Sequence, residues 1–315
     1  MISIVIPIFN ELENLFELKR RLIKSAPNWN ENFEVVLVDD GSTDGSTEVL
    51  RQFASEDDRF VCVILSRNFG HQEAISAGIN ISRGDAVVVM DGDLQDPPEE
   101  LHRFLDKWRE GYEVVYAIRT KRKENFFKKA GYFLFYRLLQ RVSDLEIPLD
   151  SGDFCVMDRK VVSTMTNEIP EKQRFVRGLR AFAGFNQIGI EYERSARVAG
   201  TPKYTFRKLL KLAMDGLISF SNKPLKISTY IGLLVSSSSF VIGVLMFLQR
   251  IFDVTVLGHS PSETPGMASL AVGTFFLSGT ILLSLGVIGE YISQIYLEVK
   301  KRPTYIVREI LNSKE

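Results

Sequence analysis

Apolar and polar positions alternate along the first ninety residues in a repeating pattern. Ile2 to Ile8 is an apolar segment of strand length. Glu11 to Ser25 then places Leu12, Leu15, Leu18 and Leu22 at helical spacing. Phe33 to Val38 predicts a second strand and Thr47 to Ala54 a second helix. Val61 to Ser66 predicts a third strand, Gln72 to Ile81 a helix rich in small residues, and Ala86 to Met90 a fourth strand. Strands alternating with helices predict a parallel sheet with right-handed crossovers, whose ligand crevice lies at the carboxyl ends of the strands.

The pattern changes past residue 220. Ile227 to Leu248 and Met267 to Gly289 contain no charged residue. As helices they would be about 33 to 35 Å long, enough for a hydrocarbon core of about 30 Å. Both are predicted to span a membrane. The hydroxyls of Ser236 to Ser239 are tolerable there because they can bond back to helix carbonyls or across to a neighbouring helix. Lys208, Lys211, Lys223 and Lys226 precede the first span, Lys300, Lys301 and Arg302 follow the second, and the loop between carries a single Arg. The positive-inside rule therefore puts the N-terminal domain and both termini in the cytoplasm, as a two-span protein of the cytoplasmic membrane, with the loop around His259 outside. The start of the chain does not read as a signal peptide, since Ile2 to Phe9 is short and lacks a basic flank.

Two further segments suit a membrane surface. Phe126, Phe127, Tyr132, Phe133, Phe135, Tyr136, Leu138 and Leu139 are interleaved with Lys128, Lys129, Arg137 and Arg141. A basic, aromatic-rich helix of this kind lies in a bilayer interface. Thr205 to Ser221 repeats the character. The expected organisation is a catalytic α/β domain over 1–204 with an interfacial helix near 124–143, then a juxtamembrane helix over 205–226. A helical hairpin over 227–290 and a cytoplasmic tail over 291–315 complete it.

Composition narrows the chemistry. A formal net charge of +0 over 315 residues gives no argument for nucleic acid. Cys62 and Cys155 have no disulfide or zinc pattern and read as reduced packing residues. Three strand ends carry polar clusters: Pro7-Ile8-Phe9-Asn10-Glu11, Asp39-Asp40-Gly41-Ser42-Thr43-Asp44, and Asp91-Gly92-Asp93. A dinucleotide site would need a Gly-rich turn after the first strand, which is absent. Two acids one residue apart at a strand's end can share a divalent cation, whose hard-oxygen shell commonly includes substrate phosphates.

The chain resembles the family-2 glycosyltransferases of the GT-A fold, and among them the membrane-bound polyprenyl-phosphate glycosyltransferases. The resemblance rests on VIPIFNE at 5–11, VDDGSTDGS at 38–46, SRNFGHQEAISAG at 66–78 and VVVMDGDLQDPPE at 87–99. It continues through Ala117-x-Arg119, DSGDFCVMDR at 150–159, RFVRG at 174–178 and RVAGTPKY at 197–204. It implies a mixed, mainly parallel sheet. It also implies that Pro7, Asn10, Glu11, Asp40, Asp91 and Arg119 hold the nucleotide-sugar, and that Asp91, Asp93 and Gln95 share Mg²⁺ or Mn²⁺. Arg177, Arg197 and Lys203 are implied at phosphates, with Asp93 and Asp153 in the chemistry. For Asp153 a base, an orienting group and a loop residue stay open.

The implied reaction is inverting transfer of one hexose, from UDP-glucose before GDP-mannose, to a polyprenyl phosphate such as undecaprenyl phosphate. A processive polysaccharide synthase is disfavoured because Gln173-Arg174-Phe175-Val176-Arg177 is not followed by Trp and two helices cannot enclose a channel. A non-catalytic nucleotide-sensing scaffold, which would be expected to lose an acid of the triplet, and an anchored glycosyltransferase that modifies a protein or glycan, against which the interfacial aromatic helices argue, are the remaining alternatives. Ser269-x-x-x-Gly273 and Thr280-x-x-x-Ser284 permit close helix contacts and leave a homo-oligomer open.

Overall fold

A computed structural model describes residues 1–119, 151–169, 171, 175–192, 223–252 and 266–312. The chain divides into two compact units, one holding every described strand and the other two long helices.

The first unit opens on β1 (Ile2–Ile8), α1 (Leu12–Ser25), β2 (Phe33–Asp39), α2 (Ser46–Glu56), β3 (Phe60–Leu65), α3 (His71–Ile81) and β4 (Ala86–Val89). These are the predicted elements, with ends shifted by a residue or two. β1 pairs in parallel with β2 on one side and β4 on the other, and β2 pairs in parallel with β3. β1 is buried at every position because both faces are covered. Ile2, Ile4, Ile6 and Ile8 point into the core with Leu15, Leu18 and Leu22 of α1 and Leu50 and Phe53 of α2. The opposite face takes α3, whose Ala74, Ala77 and Gly78 are small enough for close approach.

After β4 come α4 (Leu101–Arg109), β5 (Val114–Arg119), β6 (Ser151–Asp158), α5 (Arg159–Ser163), α6 (Val176–Phe182) and β7 (Gln187–Tyr192). The sheet order is β7-β5-β6-β4-β1-β2-β3-β8, with β8 (Val307–Leu311) at the far edge. β6 runs antiparallel to both β4 and β5, and β7 parallel to β5. The sheet is therefore mixed and mainly parallel, of the GT-A type. Because β6 alone is reversed in this half, its amino end lies at the same edge as the carboxyl ends of β4, β5 and β7.

β8 was not legible as a strand; its residues read as tail. It pairs antiparallel with β3 and is fastened by side chains. Arg51 forms an ion pair with Glu309 at 2.6 Å, Asn80 Nδ2 donates to the Tyr305 hydroxyl at 2.6 Å, and Asn312 Nδ2 donates to the Phe60 carbonyl at 3.1 Å. The Ser66 N–H donates to the Ile306 carbonyl at 2.9 Å, at the carboxyl end of β3.

The second unit pairs α7 (Lys223–Phe252) with α8 (Gly266–Val299), of 30 and 34 residues. Among the described residues one helix is long and apolar enough to cross a membrane, over Phe276–Val299 of α8, with mean hydropathy 1.5 and none of it buried; Ser228–Ile242 of α7 is a shorter apolar stretch. α8 passes the predicted end of its span at Gly289 without a break and carries Glu290 and Glu298. Thr280, Ser284, Val287, Tyr291 and Gln294 are half-buried at helical spacing, whereas Ile281, Leu285, Ile288 and Ile292 stand exposed. The interfacial helix near 124–143 and the segment 205–222 lie outside the described residues.

Candidate active site

The carboxyl edge of the sheet collects the predicted acids on four adjacent segments. β1 delivers Asn10 and Glu11, β2 delivers Asp40, β4 delivers Asp91 and Asp93, and the reversed β6 begins with Asp153. The β4–β6 register pairs Val89 with Cys155, and continuing it by two residues sets Asp91 opposite Asp153.

Pro7 sits where β1 can lack an N–H. The β1–β4 pairing ends at Val5 and Val89, followed by one bond from the Met90 N–H to the Val5 carbonyl at 3.1 Å. Position 7 faces that side beyond the last rung, so no donor is missed. Its carbonyl lies 3.3 Å from where a Cβ on Gly92 would stand, and the Ile8 Cδ1 only 2.7 Å, so the acidic turn lies directly on the end of β1.

Asn10 and Asp40 are committed to loop geometry. Asn10 has φ 54°, its Oδ1 accepts the Thr43 N–H at 2.8 Å, and its own N–H donates to Ser42 Oγ at 3.0 Å. Glu11 Oε2 accepts Asn14 Nδ2 at 2.7 Å, and the Glu11 N–H donates to Ser46 Oγ. The first two loops are thus laced together. Asp40 is 3% exposed, and its two oxygens accept the Phe69 and Gly70 N–H groups at 2.7 and 3.0 Å. Burial raises its carboxyl and those bonds offset part of the rise. Gly41 is required below them: its φ is +71°, and a Cβ there would lie 2.5 Å from the Arg67 carbonyl carbon.

Holding Phe69 and Gly70 fixes the start of α3, and His71 emerges from it into the centre of the site. Its Nε2 is 3.4 Å from Asp153 Oδ2 and 3.7 Å from Asp91 Oδ1. Arg177, in the first turn of α6, donates Nε to Asp153 Oδ1 at 2.7 Å and Nη2 to Oδ2 at 2.9 Å, a two-pronged ion pair. Gln72 Oε1 accepts the Val176 N–H at 3.0 Å, tying the starts of α3 and α6 together.

These contacts separate two carboxylates by environment. Burial works against the Asp153 anion, but the Arg177 guanidinium and then His71 overcome it and hold its carboxyl well below the usual range. Asp91 goes the other way: burial first, then the neighbouring Asp96, outweigh His71 and push it up to about 7. Burial also disfavours the His71 imidazolium, yet Asp153 and Asp91 outweigh it and lift His71 to about 9.

The acidic turn fits a shared cation rather than an all-protein cage. Among the described residues no group of three or more ligating side chains converges as a metal site. Mg²⁺-like ions need only one or two carboxylates when phosphate oxygens and water complete the shell. Asp91 and Asp93 offer those oxygens, and the crowding that raises Asp91 is what a bound cation would relieve. Gln95 contributes its N–H to Asp93 Oδ1 at 3.1 Å, so its backbone shapes the turn.

Arg119 closes β5 in register with Tyr192, at the same edge; its side chain, like Arg197 and Lys203, is outside the described residues. His71 and Asp96 escaped the sequence reading. His71 stood within the quoted SRNFGHQEAISAG stretch, directly after the Gly that opens the helix, and that position was the available signal.

The mixed, mainly parallel sheet thus carries paired acids at the end of β4 and an Arg-bound acid facing them from β6. Residues 3–166 match the family described as Glycosyl transferase family 2, and the chain belongs to that family. It is 48% identical over 98% of its length, and 93% of the relative's, to the uncharacterized glycosyltransferase YkcC of Bacillus subtilis (strain 168). It is 42% identical to the uncharacterized glycosyltransferase sll0501 of Synechocystis sp., covering 98% of this chain and 95% of that one. The SfII prophage-derived bactoprenol glucosyl transferase of Shigella flexneri is 38% identical, over 98% of this chain and 97% of the relative.

Proposed function

We propose that this glycosyltransferase moves a single hexose from a nucleotide-sugar, UDP-glucose first among donors, onto a polyprenyl phosphate at the cytoplasmic face of a membrane. The observation that carries the reading is Asp91 and Asp93 facing the Asp153–Arg177 pair across the β4–β6 edge. Relatives named for bactoprenol glucosyl transfer, similar over nearly the whole chain, support the acceptor class.

In this reading Asp91 and Asp93, with Gln95 shaping their turn, would hold Mg²⁺ or Mn²⁺, which would supply charge neutralisation for the departing diphosphate. Pro7, Asn10, Glu11 and Asp40 form the shelf for base and ribose, and Arg119, Arg197 and Lys203 meet phosphates. An acceptor phosphate oxygen attacks the anomeric carbon in line; the bond from that carbon to the diphosphate oxygen breaks, its electron pair leaves with the nucleoside diphosphate, and the anomeric centre inverts. A phosphate monoester is already ionised near neutral pH, so no general base is needed. Asp153, held ionised and gripped by Arg177, then acts as the anchor that orients Arg177 and His71 rather than as a base.

We read α7 and α8 as the two spans of a hairpin: β7 and β8 belong to one sheet, which favours an even number of crossings between them, and α7 is the long helix that pairs with α8. This supports a hairpin with both ends on the catalytic side.

The test is a donor screen with purified full-length protein, undecaprenyl phosphate and radiolabelled nucleotide-sugars. Label from UDP-glucose should enter the organic phase as the phosphodiester. Preferential use of GDP-mannose would reassign the donor, and no organic-phase label from any donor would reject the acceptor class.

A further inference from the structure

The acidic turn is braced from below by two residues outside the reacting set. Asp96 is 1% exposed, and burying a carboxylate is costly unless its oxygens are bonded. Its Oδ2 accepts the Asp91 N–H at 3.3 Å, and its Oδ1 accepts the Tyr192 hydroxyl at 2.7 Å. Between them Leu94 has φ 62°, a left-handed backbone that a non-glycine residue adopts only when its surroundings constrain it. Its side chain, 1% exposed in the core, holds it there.

The turn is therefore pinned at three points: Leu94 in the core, Asp93 on the Gln95 N–H, and Asp96 on the Asp91 N–H. Tyr192 adds a tie from the sheet to Asp96 itself. The tyrosine ends β7, is 3% exposed, and packs edge-on against Phe154 with ring centroids 5.7 Å apart; Phe154 in turn lies 4.6 Å from Phe104. Phe154 follows Asp153 in β6, so one rigid cluster carries both the acid gripped by Arg177 and the hydroxyl that fixes the acidic turn.

We infer that Asp96 and Tyr192 are positioning residues that set Asp91 and Asp93 at the separation a divalent cation and a diphosphate require. The inference rests on the cation reading of the preceding section. It concerns the strength of cation binding, not the reacting atoms.

Tyr192→Phe deletes the hydroxyl and keeps the ring, so packing on Phe154 survives. Mn²⁺ binding by the full chain in detergent, with UDP present, is read by the electron paramagnetic resonance signal of free Mn²⁺. Losing one hydrogen bond to a charged group should weaken Mn²⁺ about tenfold. The Mn²⁺ concentration for half-maximal transfer should move with it, while kcat at saturating Mn²⁺ stays within about twofold of wild type. Phe104→Leu, a core change in the same cluster that leaves the bond intact, separates positioning from loss of stability and should leave Mn²⁺ affinity in place. An unchanged Mn²⁺ affinity in Tyr192→Phe, or an equal loss in Phe104→Leu, would overturn the assignment. Wild-type protein that binds no Mn²⁺ beside UDP would instead remove the cation reading on which it stands.

Discussion

Asp153 and Asp91 are the same side chain put to opposite uses by their neighbours. Arg177 donates to both Asp153 oxygens, so Arg177→Ala strands a buried carboxylate and should cost about 3 kcal/mol of stability in denaturant unfolding, as removal of one partner of a buried pair does. Asp93→Asn keeps the size of the turn's second acid and removes its charge; transfer should fall about 10²–10³-fold with the fold intact by circular dichroism. The titrations run in opposite directions. Asp153 sits below its unfolded value, so its stabilisation is complete above about pH 4 and is lost as pH falls further. His71 is held at about 9, so its contribution is complete below about pH 6.5 and disappears as pH rises toward 9. In metal-free protein His71→Gln should flatten the alkaline fall in Tm; an unchanged alkaline limb would show that His71 does not carry it.

Among the elements, α1 shows how directly a pattern becomes packing. Leu15, Leu18 and Leu22 were legible from spacing alone and all are buried against β1, so Leu18→Ala should cost about 2–5 kcal/mol in denaturant unfolding. The four parallel strands were legible for the same reason: buried on both faces, they read as largely apolar runs, broken only by Ser3 in β1 and Glu34 in β2 before the acid that ends it. β8 was not. Its half-buried and exposed positions alternate, but Glu309 falls on the half-buried side and Ile310 on the exposed one, and its partners β3, Arg51 and Asn80 are more than 200 residues away in the chain. The site was legible at its acids, because strand ends mark the crevice. It was not legible at His71 or at the Asp96–Tyr192 bond, because a helix start and a contact across 96 residues leave no local signature. Pro7 carries a structural reason that the resemblance alone did not supply, the end of the β1–β4 ladder.

The whole molecule joins a sheet whose first and last strands enclose the membrane segment in sequence. β8 returns to β3 after α8, and through the Ser66 N–H it reaches the loop that Asp40 holds. A reporter fused near His259 should therefore read out on the side opposite to the catalytic domain, and the same side for both would contradict the hairpin. In the proposed function this edge of the sheet, through Asp91 and Asp93, passes a hexose to a lipid phosphate. The most direct measurement is organic-phase label from UDP-[¹⁴C]glucose and undecaprenyl phosphate with purified protein, before and after chelation of divalent cations. Label should enter the organic phase, disappear on chelation and return with Mg²⁺ or Mn²⁺. Label that stays in the aqueous phase, or transfer that chelation leaves untouched, would contradict that proposal.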